Sequence, residues 1–189
     1  MVVCHEPIAL TAEQGWKPMG SYDYGKDHIV RWVKDHFPKG SSCLDVGACN
    51  GKWARLLGDH LDMSACEIWQ PNITEYGLDK MYREVFCEDI ADLEYKWYDL
   101  VIFGDVLEHM TAERAQRVLE YAAGHSKDYI VALPFMYSQD EIYGNPYERH
   151  IQNDLNDKTI AERYPQIELI LKPTNDYAYY HNKVENGEI

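Results

Sequence analysis

From about residue 27 the chain alternates between two hydrophobic rhythms. In KDHIVRWVKDHF, Ile29, Val33 and Phe37 recur at four-residue steps with Trp32 beside them, and Pro38 ends the run, which predicts an amphipathic helix. CLDV is a short buried strand, and KWARLLGDHL follows as a helix with Trp53, Leu56, Leu57 and Leu61 on one side. SACEIW reads as a second strand, residues 72–82 as a short helical or irregular piece, and EVFC as a third strand. DLVIF is almost wholly apolar, as a strand covered on both faces should be.

TAERAQRVLEYAAGHS is a helix capped by Thr111, with Ala115, Val118, Leu119 and Ala122 as its stripe, and YIVAL is a fifth strand. Residues 134–153 carry no period and read as a long loop. A helix over 156–164 then precedes IELIL and YAYYH, which the Pro, Asn and Asp of KPTND join as an antiparallel hairpin. This order predicts an α/β fold: a doubly wound, Rossmann-like, mostly parallel sheet of about seven strands with a C-terminal antiparallel hairpin and helices on both faces. Ligands are expected beyond the carboxyl ends of the strands.

Length fits one domain over residues 1–189, with an N-terminal extension (1–21), a functional loop (136–153) and a frayed tail (183–189). With 46% hydrophobic and 13% aromatic residues the chain is too apolar to be disordered. A net charge of -14, without a Lys/Arg run, argues against nucleic acid or an anionic membrane as partner. Five cysteines, an odd number without a C-x-x-C pair, read as reduced and mostly buried thiols. The opening MVVCHEPIAL lacks a basic cluster and no apolar run spans a bilayer, so a cytoplasmic location is expected.

CLDVGACNGKWARLL runs from strand through a glycine loop into a helix, an arrangement that brings backbone close to a ligand. Alone, G-x-x-x-G also matches many structural turns. Three acids add to it. Asp45 lies inside an apolar strand, where an unpaired carboxylate is costly, so it should meet a cationic group or donors. Glu67, 22 residues later, stands near the spacing at which an acid binds ribose hydroxyls. Asp89 follows the third strand, placed to accept from an adenine amino group while Ile90 lines the ring.

On these residues the chain resembles the class I S-adenosylmethionine-dependent methyltransferases over about residues 22–182. LDVGACNG is similar to their first motif, ACEIWQPN to their acidic second strand, CEDIADL to their adenine segment and YDLVIFGDVLEHM to their fourth motif. Cys49 stands where that family's loop often has its middle glycine. The resemblance implies S-adenosylmethionine as cofactor. Asp45 and the Gly47 carbonyl would take the methionine ammonium, and Ala48 and Gly51 would shape the loop. Glu67, beside Ile68, would take the ribose, Asp89 with Ile90 the adenine, and Asp105 the cofactor's cleft side; Trp69 either covers the ring or only packs.

Asp105, Glu108 and His109 fall on one side of any helical turn in DVLEHM, where they suit either a divalent metal, as in an arrangement proposed for ubiquinone O-methyltransferases, or a metal-free acceptor site. No metal dependence is expected. GNPYERH supplies Asn145, Tyr147, Glu148, Arg149 and His150, with His150 the candidate base because imidazole titrates near neutrality. His109 and Asp105 are the other catalytic candidates, and Tyr22 and Tyr24 either close over the cofactor or lie on the surface. The remaining histidines, His5, His28, His36, His60, His125 and His181, are expected on the surface. The implied activity is methyl transfer to a small or medium-sized acceptor at oxygen or nitrogen. A nicotinamide-dependent oxidoreductase and a non-catalytic S-adenosylmethionine-binding module are the alternatives.

Overall fold

The computed structural model describes residues 22–183, so the extension over 1–21, His5 and Cys4 within it, and the tail beyond residue 183 lie outside the described residues. In chain order the elements are α1 (Lys26–His36), β1 (Ser42–Val46), α2 (Lys52–Leu57), β2 (Asp62–Cys66), α3 (Gln70–Tyr76) and β3 (Val85–Phe86). They continue with β4 (Tyr98–Gly104), α4 (Ala112–His125), β5 (Ser126–Pro134), α5 (Asp157–Arg163), β6 (Ile167–Thr174) and β7 (Tyr177–Asn182). The strands form one sheet in the order β3-β2-β1-β4-β5-β7-β6. Strands β1 to β5 pair in parallel, and β7 runs antiparallel to both β5 and β6.

Alternation along the central strands divides the core in two. Leu100 and Ile102 of β4 and Ile130 and Ala132 of β5 face one side, where they meet Ile29 and Val33 of α1, Phe37 just after it, and Trp53 and Leu57 of α2. Val101, Phe103, Tyr129 and Val131 face the other, against Ala115, Val118, Leu119 and Ala122 of α4 and Ile160 of α5. Both faces are thus covered, which explains the unbroken apolar reading of β4. Thr111 caps α4 as expected, its hydroxyl accepting from the Arg114 N–H.

Several boundaries differ from the periodicity. β2 begins at Asp62, because Asp62–Cys66 is the stretch in register with Ser42–Val46, and it ends before Glu67. α2 closes at Leu57, where the Gly58 N–H caps the Ala54 carbonyl, although Leu61 is buried beyond it. Of the four described cysteines, Cys43 and Cys66 are buried, whereas Cys49 and Cys87 are only half-buried.

Successive connections run from β1 outward through β2 to β3 and, on the other side, from β4 to β5. The strand order therefore reverses between β1 and β4, and the loops leaving their carboxyl ends diverge there to open a crevice.

Candidate active site

The crevice is a cleft of about 610 Å³ walled by the loops after β1 to β5 and by the segment following β5. Gly47, with φ +66°, forms its floor: a Cβ there would lie 2.7 Å from Val106 Cγ2, so only glycine fits. Cys49 holds φ +45°, a left-handed backbone that a side chain disfavours, and Gly51 follows at φ +73°. Val46, Ala48 and Trp53 complete this wall.

Glu67 closes the loop from the neighbouring strand. It is 4% exposed; Oε2 accepts the Cys49 N–H at 2.7 Å and Oε1 the Trp69 N–H at 2.8 Å. Burial pushes its carboxyl up to about 7, against the lowering effect of those two N–H groups. Ile68 lines the cleft beside it, while Trp69 does not and instead tilts towards Tyr147, with ring centroids 6.1 Å apart. Asp89 and Ile90 line the next wall; Asp89 accepts from the Ala91 N–H at 2.9 Å and pairs with Arg114 at 2.6 Å. Glu88 lines the cleft next to them.

Asp45 is placed differently. Only 1% exposed, it lies behind the cleft wall, where one carboxylate oxygen accepts from the Tyr82 hydroxyl and the other has no hydrogen-bond partner among the described residues. Burial raises its carboxyl to about 7. Asp105 does reach the cleft, on a backbone with φ +59°, and Oδ2 accepts the Tyr177 hydroxyl at 2.9 Å.

Opposite the glycine loop, the 3-10 turn Leu107–His109 meets the segment 136–153. The N–H groups of Ile151 and Gln152 both donate to the Glu108 carbonyl, at 2.8 and 3.0 Å, and the Gln152 amide bonds the Leu107 and Met110 carbonyls. These bonds bring His150 against His109, with ring centroids 4.7 Å apart. Burial lowers the imidazole of His109 to about 4 and also depresses that of His150. Asn145, Tyr147, Glu148 and Arg149 line the same wall. At the mouth Tyr22 lines the cleft and meets Tyr177 edge-on at 5.7 Å; Tyr24 stacks on Tyr22 away from the wall.

The structure thus brings Gly47, Ala48, Glu67, Ile68, Asp89, Ile90, Asp105, His109 and His150 around one cleft, and leaves Asp45, Gly51 and Trp69 off its wall. Sequence reasoning missed Glu88 and Arg114. Arg114 sits in the first turn of α4, and only the packing of that helix beside the end of β3 shows that it reaches Asp89.

No family model matches the chain and no curated protein matches it in sequence. Solved structures do match it in shape. An S-adenosylmethionine-dependent methyltransferase from Clostridium acetobutylicum superposes with a TM-score of 0.65 over 85% of this chain and 91% of its own, at 14% identity. The chain has the S-adenosylmethionine-dependent methyltransferase fold. DhpI, in its complex with SAM and HEP, gives a TM-score of 0.66 at 15% identity over 84% of this chain and 85% of its own. A 1,6-didemethyltoxoflavin N1-methyltransferase from Burkholderia thailandensis gives 0.56 at 14% identity, over 85% and 77%. No helix among the described residues is long and apolar enough to cross a membrane.

Proposed function

We propose that this chain binds S-adenosylmethionine in the cleft and transfers its methyl group to an oxygen or nitrogen of a small or medium-sized acceptor. The observation that carries the reading is Glu67, buried at the end of β2 and fastened to the glycine loop, in a cleft lined by six carboxylates against Lys52, Arg114 and Arg149. Such a wall, rich in carboxyl oxygens that accept from hydroxyl and ammonium groups, suits a cofactor bearing a ribose and an ammonium better than the pyrophosphate of a dinucleotide, which calls for donors. The solved neighbours bound to S-adenosylmethionine or acting on small molecules support the same choice.

The residues fit the group. Each Glu67 oxygen uses one lone pair on a backbone N–H and keeps another for a ribose hydroxyl. Asp89, beside Ile90, faces the adenine position, Ala48 and Gly51 shape the loop, and the Gly47 carbonyl takes the ammonium. Asp45 contributes its field from behind the wall rather than by contact. Asp105 holds the cofactor's edge towards the acceptor.

Bound S-adenosylmethionine supplies a methyl group on a sulfonium, open to displacement at carbon. What the chain must do is align the acceptor and keep water out, and Tyr22, Tyr147 and the pinned loop enclose that side. His150 donates its Nδ1–H to the Tyr137 carbonyl at 2.9 Å, which leaves Nε2 unprotonated. It is positioned to take the acceptor's proton, with Asp105 and His109 on the same wall.

Single-turnover transfer of labelled methyl to a panel of small alcohols and amines tests this. Transfer to at least one class is expected, lowered roughly 100-fold or more by His150→Ala while S-adenosylhomocysteine affinity stays unchanged. Tight cofactor binding with no transfer to any acceptor would instead identify a binding module.

A further inference from the structure

Glu108 is the least explained side chain in the cleft. It is wholly buried, and neither carboxylate oxygen has a hydrogen-bond partner among the described residues; only its own backbone N–H eases its charge, while Asp105 and Glu148 add repulsion. A buried carboxylate without donors is costly, and well-packed structures rarely leave one. What faces it is a pair of imidazoles. His109 Nε2 lies 4.0 Å from Glu108 Oε1, and one donor atom from each of Glu108, His109 and His150 falls within 4.8 Å of the others.

The tautomers follow from the backbone. His109 Nδ1 lies 3.2 Å from the Arg149 carbonyl and His150 Nδ1 lies 2.9 Å from the Tyr137 carbonyl. A carbonyl only accepts, so each Nδ1 carries the hydrogen in these contacts, and Nε2 is the ring nitrogen that offers a lone pair to an ion. Locking one ring nitrogen on a carbonyl is how ligating histidines are oriented.

We propose that Glu108, His109 and His150 form a binding site for one divalent transition-metal ion of the zinc, cobalt or manganese class. One carboxylate and two imidazoles suit such ions better than magnesium, which prefers all-oxygen shells. Ligands about 2.1 Å from a common ion lie some 3 to 3.5 Å apart, so separations of up to 4.8 Å must close by about 1.3 to 1.8 Å, within reach of side-chain rotation. Three protein ligands leave open positions towards the cleft. The support is already built, because the Ile151 and Gln152 N–H groups fasten the His150 segment to the Glu108 carbonyl. Asp105 is left out of the set: its Oδ2 is held by Tyr177. This departs from the sequence expectation in two ways, by including a metal and by replacing Asp105 with His150.

The ion's use in catalysis rests on the methyl-transfer reading; the site itself does not. An acceptor hydroxyl at an open position is acidified, so its proton passes to solvent water. Its oxygen pair then forms the bond to the methyl carbon, and the carbon–sulfur pair stays on the departing thioether. Since His150 uses the same lone pair to bind an ion or take a proton, an occupied site replaces imidazole base catalysis.

The test is a titration of the full chain, stripped with chelator and free of cofactor, with Co²⁺. The expected result is one saturable equivalent, visible absorption bands of a cobalt–imidazole site, and a raised melting temperature. Glu108→Gln, which keeps shape, and His150→Ala, in a loop outside the core, should each weaken Co²⁺ by about 100-fold or abolish it. Should Glu108→Gln fail to fold, His150→Ala carries the test. Absence of saturable binding, or binding unchanged in the folded variants, overturns the site. S-adenosylhomocysteine affinity, measured on the same stripped protein, is expected to be independent of cobalt, so failure of cofactor binding is read separately from failure of the metal site.

Discussion

The backbone N–H of Cys49 donates to Oε2 of Glu67 across 2.7 Å, joining the glycine loop after β1 to the end of β2 over a separation of 18 residues. Because the carboxylate is buried, this tie has a pH signature. The folded state holds the Glu67 proton up to about pH 7, whereas the unfolded chain releases it near its ordinary value. The folded protein therefore binds more protons between about pH 4.5 and 7, and stability falls as pH rises through that window. Glu67→Gln lacks this titration. In cofactor-free protein, urea unfolding at pH 4.5 and 7.5 should show wild type losing about 3 kcal/mol relative to the variant. Parallel pH curves would mean that Glu67 is not held protonated.

Cys49 pays for its position with a φ of +45°. Cys49→Gly should leave the fold as stable or raise it by about 0.5–1 kcal/mol, the strain relieved being partly offset by glycine's unfolded-state entropy. Cys49→Val, with a β-branched side chain in the same backbone, should lose about 1–3 kcal/mol. Chemical denaturation of the pair checks the order, and a glycine variant less stable than the valine one would show that the loop is not left-handed there.

Tyr82 is the hydroxyl donor to buried Asp45. Tyr82→Phe removes that donor and keeps the ring, so it should destabilise by about 2 kcal/mol, with the loss greatest above pH 7 where Asp45 is ionised. Thermal unfolding of the variant at pH 6 and pH 8 measures it. An equal, small effect at both would show that the contact contributes little.

Most of this architecture is legible without coordinates because helix and strand periods switch cleanly. The stripe on α4, the apolar run of β4 and the hairpin signal in KPTND each fix an element and its face. The acids at Glu67 and Asp89 are legible for a similar reason, each following an apolar run that can only be a strand. Asp45 and Trp69 show the limit: sequence places them beside the cleft, but which way a side chain points at a strand end depends on partners such as Tyr82, 37 residues away. The meeting of Glu108 with His150 was equally hidden, since it depends on two loop N–H groups closing on one carbonyl.

The central claim is that the cleft accepts S-adenosylmethionine rather than a dinucleotide. Calorimetric titration of the chain with S-adenosylhomocysteine and with NAD tests it most directly. One equivalent of S-adenosylhomocysteine should bind, weakened by about 2 kcal/mol in Glu67→Ala, and NAD should give no measurable heat. Preferential binding of NAD, or S-adenosylhomocysteine affinity unaffected by Glu67→Ala, would contradict the account.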